Sequence, residues 1–154
     1  MAASKPRRVA VRAAKMTDLP VIESIEARSF NADRFSRATL KRLIAGKTAA
    51  VLVAAVDNRA VGYVALLFRK GTRVARLYSL AVEPEARGKG VAPALIDAAS
   101  RAARRRGSDR LRLEVRASNA KALSLYQRSG FTFLERSPGY YHDGEDAIRH
   151  EKRL

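Results

Sequence analysis

The chain has 154 residues, a length that suits one domain and leaves no room for two ordinary ones. Hydrophobic residues make up 47% of it and charged residues 30%, so the chain can bury a core and wholesale disorder is excluded. It contains no cysteine, which excludes disulfides, thiolate-ligated metal sites and a catalytic cysteine. Because His142 and His150 are its two histidines, we expect no histidine-rich metal site and no Ser-His-Asp triad.

The charge balance is strongly basic, since 31 lysines and arginines stand against 15 acidic residues and give a net charge of +16. Such a field attracts anions, whether a nucleic acid, an anionic cofactor or an acidic protein surface. The alternative is that these charges are only solvated, because net charge alone does not specify a partner.

No apolar run approaches the roughly 20 residues of a membrane-spanning helix. The cations near the N-terminus are not followed by the apolar stretch of a secretory signal. We therefore expect a soluble, cytoplasmic protein without a membrane partner. One domain is expected over residues 1–154, with a flexible basic tail over residues 1–8.

The first fifty residues predict a short strand followed by two helices. The strand covers residues 9–14. Asp18 is a candidate N-cap for the first helix, which ends near Ser29. Ser36 is a candidate N-cap for the second, and Gly46 is a plausible stop.

The rest of the chain predicts a mixed α/β sheet. Strands are expected over residues 49–56, 60–68, 74–82, 110–116, 131–136 and 147–154, and helices over 91–106 and 120–129. The first three of these strands form an antiparallel meander. The strand–helix–strand unit from 74 to 116 adds one parallel step.

A glycine-bearing turn joins the 74–82 strand to the helix that follows it. Its sequence is Arg87-Gly88-Lys89-Gly90-Val91-Ala92. A helix N-terminus with unpaired N–H groups and nearby cations can cradle a phosphate. The spacing matches neither a nucleotide P-loop nor a dinucleotide fingerprint, since Pro93 stands where a third glycine is needed. Taken alone, an ordinary strand-to-helix turn remains the alternative.

The pattern Arg87-x-x-Gly90-x-Ala92 resembles the pyrophosphate loop of the GNAT superfamily of acetyl-CoA-dependent N-acetyltransferases. Downstream, Leu-Glu-Val-Arg-Ala-Ser-Asn at 113–119, Leu-Tyr at 125–126 and Gly-Phe at 130–131 are similar to its ribosomal-protein alanine N-acetyltransferase branch. The segment Tyr-Tyr-His-Asp-Gly-Glu-Asp-Ala at 140–147 is similar to that branch as well.

The resemblance implies a mostly antiparallel sheet of six to seven strands with about four helices, splayed between the fourth and fifth strands. Acetyl-CoA is expected in that gap, with its pantetheine arm along the backbone of Leu80, Ala81 and Val82. The pyrophosphate is expected on the turn formed by Arg87, Gly88, Lys89, Gly90, Val91 and Ala92. Pro93 has no N–H to offer it.

The same resemblance assigns roles to reacting groups. Glu114 is expected to be the general base and Tyr126 the general acid, with Tyr126 also beside the cofactor. From the residues alone, the favoured interpretation of Glu114 is a carboxylate paired with neighbouring arginines, and that of Tyr126 is a core aromatic. Asn119 is expected to cap a helix and contact the cofactor.

Four aromatic residues are expected to wall the acceptor site: Phe30, Phe35, Tyr140 and Tyr141. The expected activity is acetyl transfer by direct attack in a ternary complex, most specifically onto a protein N-terminal α-amino group. Acetylation of a small amine or a lysine side chain is the second reading.

A third reading is a basic nucleic-acid-binding module. It would use a stripe of seven arginines: Arg101, Arg104, Arg105, Arg106, Arg110, Arg112 and Arg116. A monomer and a homodimer are both left open.

Overall fold

The computed structural model describes residues 8–30 and 33–154. Its strands are β1 (Val9–Ala13), β2 (Ala49–Val56), β3 (Arg59–Phe68), β4 (Val74–Val82), β5 (Arg110–Arg116), β6 (Thr132–Ser137) and β7 (Ala147–Arg153). Its α-helices are α1 (Leu19–Ser29), α2 (Arg37–Ala45), α3 (Val91–Arg105) and α4 (Ala120–Arg128). The expected basic tail lies outside the described residues except for Arg8.

The seven strands form one sheet in the order β1-β2-β3-β4-β5-β7-β6. Every neighbouring pair is antiparallel except β4 and β5, which run parallel and are connected through α3. The expectation of a mixed, mostly antiparallel sheet with four helices is confirmed.

The expected N-caps at Ser36 and Asn119 are present, whereas the side chain of Asp18 does not cap α1. Ser36 accepts a hydrogen bond from the Thr39 amide at 3.2 Å. The Asp18 carboxylate makes no bond to α1 and instead accepts from the Arg12 guanidinium and the Lys15 amide. Those hydrogen bonds, with Arg12 first, lower the pKa of Asp18 to about 2.

The two faces of the sheet are covered by different helices. Helices α1 and α2 pack their buried leucines and isoleucines against Val53 and Tyr63. Helix α3 packs Leu95, Ile96 and Ala99 on the opposite face, where Leu111 and Leu113 of β5 are also buried. Because side chains alternate along a strand, the charged residues of β5, including Glu114, point to the α1–α2 side.

The pairing of β4 with β5 stops after three residues, at Arg76 opposite Arg112. Beyond that point β4 contains a bulge: Leu77 and Ser79 are paired with consecutive residues of β3, which leaves Tyr78 as the extra residue. A bulge bends its strand and increases the local twist. The expected separation of the fourth and fifth strands is therefore present, and it opens a gap in the sheet.

The stripe of seven arginines stays a prediction, and its two end members, Arg101 and Arg116, are ion-paired with acids. Arg116 lies at the far end of β5 and contacts Asp33, Asp143 and Glu145. Arg101 is paired with Asp97 one turn earlier on α3, at 2.9 Å.

Within the described part of the chain, no helix is both long and apolar enough to cross a membrane.

Candidate active site

A cavity of about 300 Å³ occupies the gap between β4 and β5. Eight of the residues expected at the site line it: Phe30, Phe35, Leu80, Glu114, Asn119, Tyr126, Tyr140 and Tyr141. Ala81 and Val82 continue β4 beyond the cavity and are buried. Residues 87–92 form the turn into which β4 leads, and do not line it.

Glu114 lies at the floor of the cavity, with its side chain 11% exposed. One carboxylate oxygen accepts from the Arg76 Nε at 3.0 Å, and the other accepts from the Arg149 Nε at 3.2 Å. These partners come from β4 and β7, and not from the β5 arginines that the sequence suggested. An ionised carboxylate has about four acceptor positions, so two stay available to a ligand or water.

Tyr126 is directed into the cavity from α4. It is buried, and its ring contacts Phe131 edge-on with centroids 5.6 Å apart. Burial raises the pKa of its hydroxyl, and the neighbouring Tyr141 adds to the rise. The hydroxyl therefore stays protonated at neutral pH and is available as a proton donor.

Aromatic rings form two sides of the cavity. Phe35 stacks on Tyr78, the bulge residue, with centroids 4.8 Å apart. Tyr140 and Tyr141 meet edge-on at 5.0 Å. The Tyr140 hydroxyl accepts a hydrogen bond from Arg76 at 2.7 Å, which links this side to the arginine that holds Glu114.

Arg116 connects the two segments that flank the cavity. Its guanidinium donates to Asp33 in the α1–α2 connection and to Asp143 and Glu145 in the β6–β7 connection. It also lies over the Tyr141 ring, 4.2 Å from the centroid. Asp33, Asp143 and Glu145 thus share one arginine as an ion-pair partner.

Glu26 is a second carboxylate at the cavity, and it is buried in α1. It accepts hydrogen bonds from the Phe35 amide at 2.7 Å and from the Tyr63 hydroxyl. Tyr63 in turn contacts the Ser79 hydroxyl at 3.0 Å. Burial raises the pKa of the Glu26 carboxyl. This network fixes the α1–α2 connection against β3 and β4.

The glycine turn presents free backbone donors at the start of α3. Gly88 and Gly90 have φ angles of +78° and +81°, and a Cβ on either would meet open space. Among the residues that the structure describes, none accepts a hydrogen bond from the amides of residues 88–92. The edge of β4 that faces the gap is also unpaired beyond Arg76. Free amides, a helix N-terminus and an open strand edge together suit an extended ligand that ends in phosphates.

Arg87 departs from the expected arrangement. Its Nε donates to the Val82 carbonyl at 3.1 Å, so this side chain folds back onto the end of β4. A ligand that pairs with Val82 would share that carbonyl with Arg87 or displace it.

Sequence reasoning missed several residues of the cavity: Glu26, Asp33, Arg76, Tyr78, Ser79 and Arg116. Glu26 carried a signal, because it stands four residues after Ile22 and one after Ile25, on the buried side of α1. An acid on the apolar stripe of a helix needs a buried partner. The others are brought to the cavity by the bulge and by strand register, and have no local signature.

Comparison with known proteins identifies the architecture. Residues 19–131 match the model of the acetyltransferase (GNAT) family. The chain belongs to this family. An N-alpha-acetyltransferase of Saccharolobus solfataricus is 36% identical over 109 residues, which cover 64% of this chain and 65% of the relative.

Two other GNAT relatives are similar over nearly the whole chain. A Bacillus subtilis protein, provisionally named a ribosomal protein bS18-alanine N-acetyltransferase, is 30% identical over 142 residues. The matched region covers 92% of this chain and 93% of the Bacillus subtilis protein. The crystal structure of the Escherichia coli ribosomal-protein-S18-alanine N-acetyltransferase superposes with a TM-score of 0.84 at 29% identity, covering 96% of this chain and 94% of that one. The protein is therefore an acetyltransferase with the GNAT fold.

Proposed function

We propose that this GNAT enzyme takes its acetyl group from acetyl-CoA and transfers it to the N-terminal α-amino group of a protein. The observation that carries the proposal is the separation of β4 from β5 beyond Arg76 and Arg112. That separation creates a cavity beside an unpaired strand edge, with Glu114 and Tyr126 both in its wall.

The residues available to hold acetyl-CoA lie along β4 and at the start of α3. The backbone of Leu80, Ala81 and Val82 offers the free edge of a strand to the pantetheine arm. The amides of Gly88, Lys89, Gly90, Val91 and Ala92 offer donors to the pyrophosphate, and the partial positive charge of the α3 N-terminus supports them. Bound acetyl-CoA supplies an activated thioester carbonyl to the cavity. Asn119 and Tyr126 line the same space.

Glu114 prepares the acceptor amine. An α-amino group has a pKa near 8, so it arrives largely protonated and must lose a proton before it can attack. The lone pairs of Glu114 that its two arginines leave free accept that proton through an ordered water. General base action of this kind accelerates a reaction by about 10²–10⁴.

Tyr126 stabilises the departing sulfur. Burial holds the pKa of Tyr126 above the value of about 8.5 for a thiol, so complete proton transfer to the free thiolate is unfavourable. Tyr126 therefore donates a hydrogen bond to the sulfur and shares its proton as negative charge develops there. The chain has no cysteine, so an acetyl-cysteine intermediate is excluded and the amine attacks the thioester directly.

Three observations favour a protein N-terminus as the acceptor. The Saccharolobus solfataricus relative is named an N-alpha-acetyltransferase, and the Escherichia coli relative is named for acetylation of a ribosomal-protein alanine. Arg116 ties the two flanking segments together across the cavity. A chain end can enter such a cavity from one side, whereas an internal lysine requires polypeptide on both sides of the modified residue.

A small polyamine is the less favoured acceptor. Polyamine recognition needs unpaired carboxylates, and the acids of the β6–β7 connection are occupied. Asp143 and Glu145 are bound to Arg116, and Asp146 is bound to Arg136.

The proposal is tested by incubating the enzyme with acetyl-CoA and a library of peptides with free N-termini, followed by mass spectrometry. The expected product carries an acetyl group on the α-amino nitrogen, with an equal amount of CoA thiol released. Acetylation of lysine side chains alone, or of spermidine in preference to every peptide, would overturn the assignment of the acceptor.

A further inference from the structure

Positive charge is concentrated at the end of the sheet opposite the glycine turn. We call this surface the basic end and define it as residues 47–48, 69–73, 104–112 and 151–154. Hydrogen bonds join its segments: Arg106 donates to the Lys47 carbonyl at 2.8 Å, and the Asp109 amide donates to the Arg73 carbonyl at 2.8 Å. The Leu154 amide donates to the Asp109 carbonyl at 2.9 Å.

Most cations of the basic end have no acidic partner. Its acids are Asp109, which lies 3.5 Å from Arg73, and Glu151, which binds Arg110 and Arg112. The described residues provide no carboxylate within 4.0 Å of the other exposed cations of this surface, namely Lys47, Arg69, Lys70, Arg104, Arg105, Arg106 and Arg153. Concentrating like charges in this way destabilises a protein unless a counter-charge is bound.

A groove of about 720 Å³ lies within this surface, beside the β3–β4 turn. Arg69, Lys70, Arg76 and Arg112 line it, with Thr48 and Thr72 as further hydrogen-bond donors. Arg106 lies over the Phe68 ring at 4.3 Å, so the guanidinium is held in place beside the groove. The groove thus offers positive charge in a concave shape.

The chemistry of the basic end favours a phosphodiester chain over a folded acidic protein. Protein interfaces are built around exposed aromatic and aliphatic anchors. The large hydrophobic residues exposed in the described structure are Met16, Phe133, Leu134 and Tyr140, and none belongs to the basic end. Arginine predominates there, and its planar fork matches phosphate oxygens in pairs.

We propose that the basic end binds the phosphate backbone of a nucleic acid, at a site that meets the acetyl-transfer cavity at Arg76, which lines both spaces. Helix α3 begins at the glycine turn and ends at the basic end, and its 15 residues span about 22 Å at 1.5 Å per residue. The phosphates of a nucleic acid and the pyrophosphate of acetyl-CoA therefore bind at opposite ends of α3.

The test measures fluorescence anisotropy of labelled single-stranded RNA, single-stranded DNA of the same sequence and duplex DNA, without acetyl-CoA, across a salt series. The expected result is binding whose logarithm falls linearly with the logarithm of salt concentration. For about five phosphate contacts to a single strand, the slope is about −3.5. Equal binding of the RNA and DNA strands identifies the phosphate backbone as the ligand, and preference for RNA adds contacts to the 2′-hydroxyl.

Two triple variants remove the same charge from different places. Arg69→Gln/Lys70→Gln/Arg105→Gln acts on the basic end, and we expect its slope to become shallower by about 2. Affinity should fall by about tenfold or more at low salt. Arg34→Gln/Arg37→Gln/Lys121→Gln removes three exposed cations elsewhere and should retain most of the affinity.

Equal losses in the two triple variants would show that only net charge matters, and would overturn the site. Displacement of RNA by polyglutamate as effectively as by unlabelled RNA would assign the surface to acidic polypeptides instead. Absence of salt-dependent binding to all three nucleic acids would reject the proposal. Peptide acetylation by the basic-end variant should equal that of the wild type, which also shows that the variant is folded.

Discussion

Arg116 and Asp33 form a bidentate ion pair across 83 residues of chain, with Nε to Oδ2 at 2.8 Å and the second contact at 3.0 Å. The remaining nitrogen of the same guanidinium binds Asp143 and Glu145. One side chain on β5 therefore joins the α1–α2 and β6–β7 connections, which carry the aromatic walls of the cavity.

Replacing Arg116 by glutamine should weaken acceptor binding more than donor binding. Losing this bidentate pair releases both walls, and about 1.4 kcal/mol of lost positioning raises the KM for a peptide about tenfold. The KM for acetyl-CoA should stay unchanged. Arg101→Gln, which breaks the exposed pair with Asp97 on α3, is the control and should alter neither constant. An equal rise in both constants would mean that Arg116 acts only on overall stability.

Glu114→Gln should lower kcat by about 10²–10⁴ while leaving the affinity for CoA intact. Glu151→Gln is the matched control, because Glu151 is also 11% exposed and also binds two arginines of the same sheet face. It lies outside the cavity, so its loss should cost stability without a comparable loss of turnover. If both variants lose turnover equally, the two carboxylates share a structural role and Glu114 is not the base.

Tyr126→Phe should reduce kcat by about 10²-fold and leave the melting temperature little changed. The ring stays packed against Phe131, and no described residue forms a hydrogen bond with the hydroxyl that is removed. Steady-state kinetics and a thermal melt, made on one preparation, separate the two effects. Full activity in the variant would show that Tyr126 only packs in the core and is not the general acid.

Glu26→Gln should make stability less dependent on pH. Burial raises the folded-state pKa of Glu26 above its ordinary value of 4.5, so the unfolded chain ionises first as the pH rises. The stability that protonated Glu26 contributes to the wild type is complete below the ordinary pKa and is lost as the pH rises through the folded-state pKa. The free energy of unfolding of the variant, measured by urea denaturation, should therefore rise relative to that of the wild type as the pH increases above about 4.5. A variant whose free energy of unfolding falls relative to that of the wild type as the pH rises would contradict a raised pKa.

Most of the fold could be predicted from the sequence because its signals are local. Ser36 and Asn119 have side chains that suit N-caps, and the strict alternation of β5 marks its two faces. The end of each helix is predicted within a few residues for the same reason. Asp18 is the exception, since Arg12 competes successfully for its carboxylate.

The geometry of the site could be predicted only in part. Residues such as Glu114 and Tyr126 stand in recognisable motifs, whereas Arg76 and Tyr78 reach the cavity through a bulge that no glycine or proline marks. The partners of Glu114 depend on the register of β5 with β7 and on where β4 leaves β5. Those are long-range properties of the sheet, and the alternation within one strand does not contain them.

The proposed cofactor site depends most on the free amides that precede and begin α3, and they can be observed directly. Titration of ¹⁵N-labelled protein with CoA, followed by two-dimensional NMR, reports on each amide separately. We predict large shifts for Gly88, Lys89, Gly90, Val91 and Ala92, smaller shifts along β4, and none at Arg69 and Lys70. Unchanged resonances at residues 88–92 in the presence of saturating CoA would contradict the account.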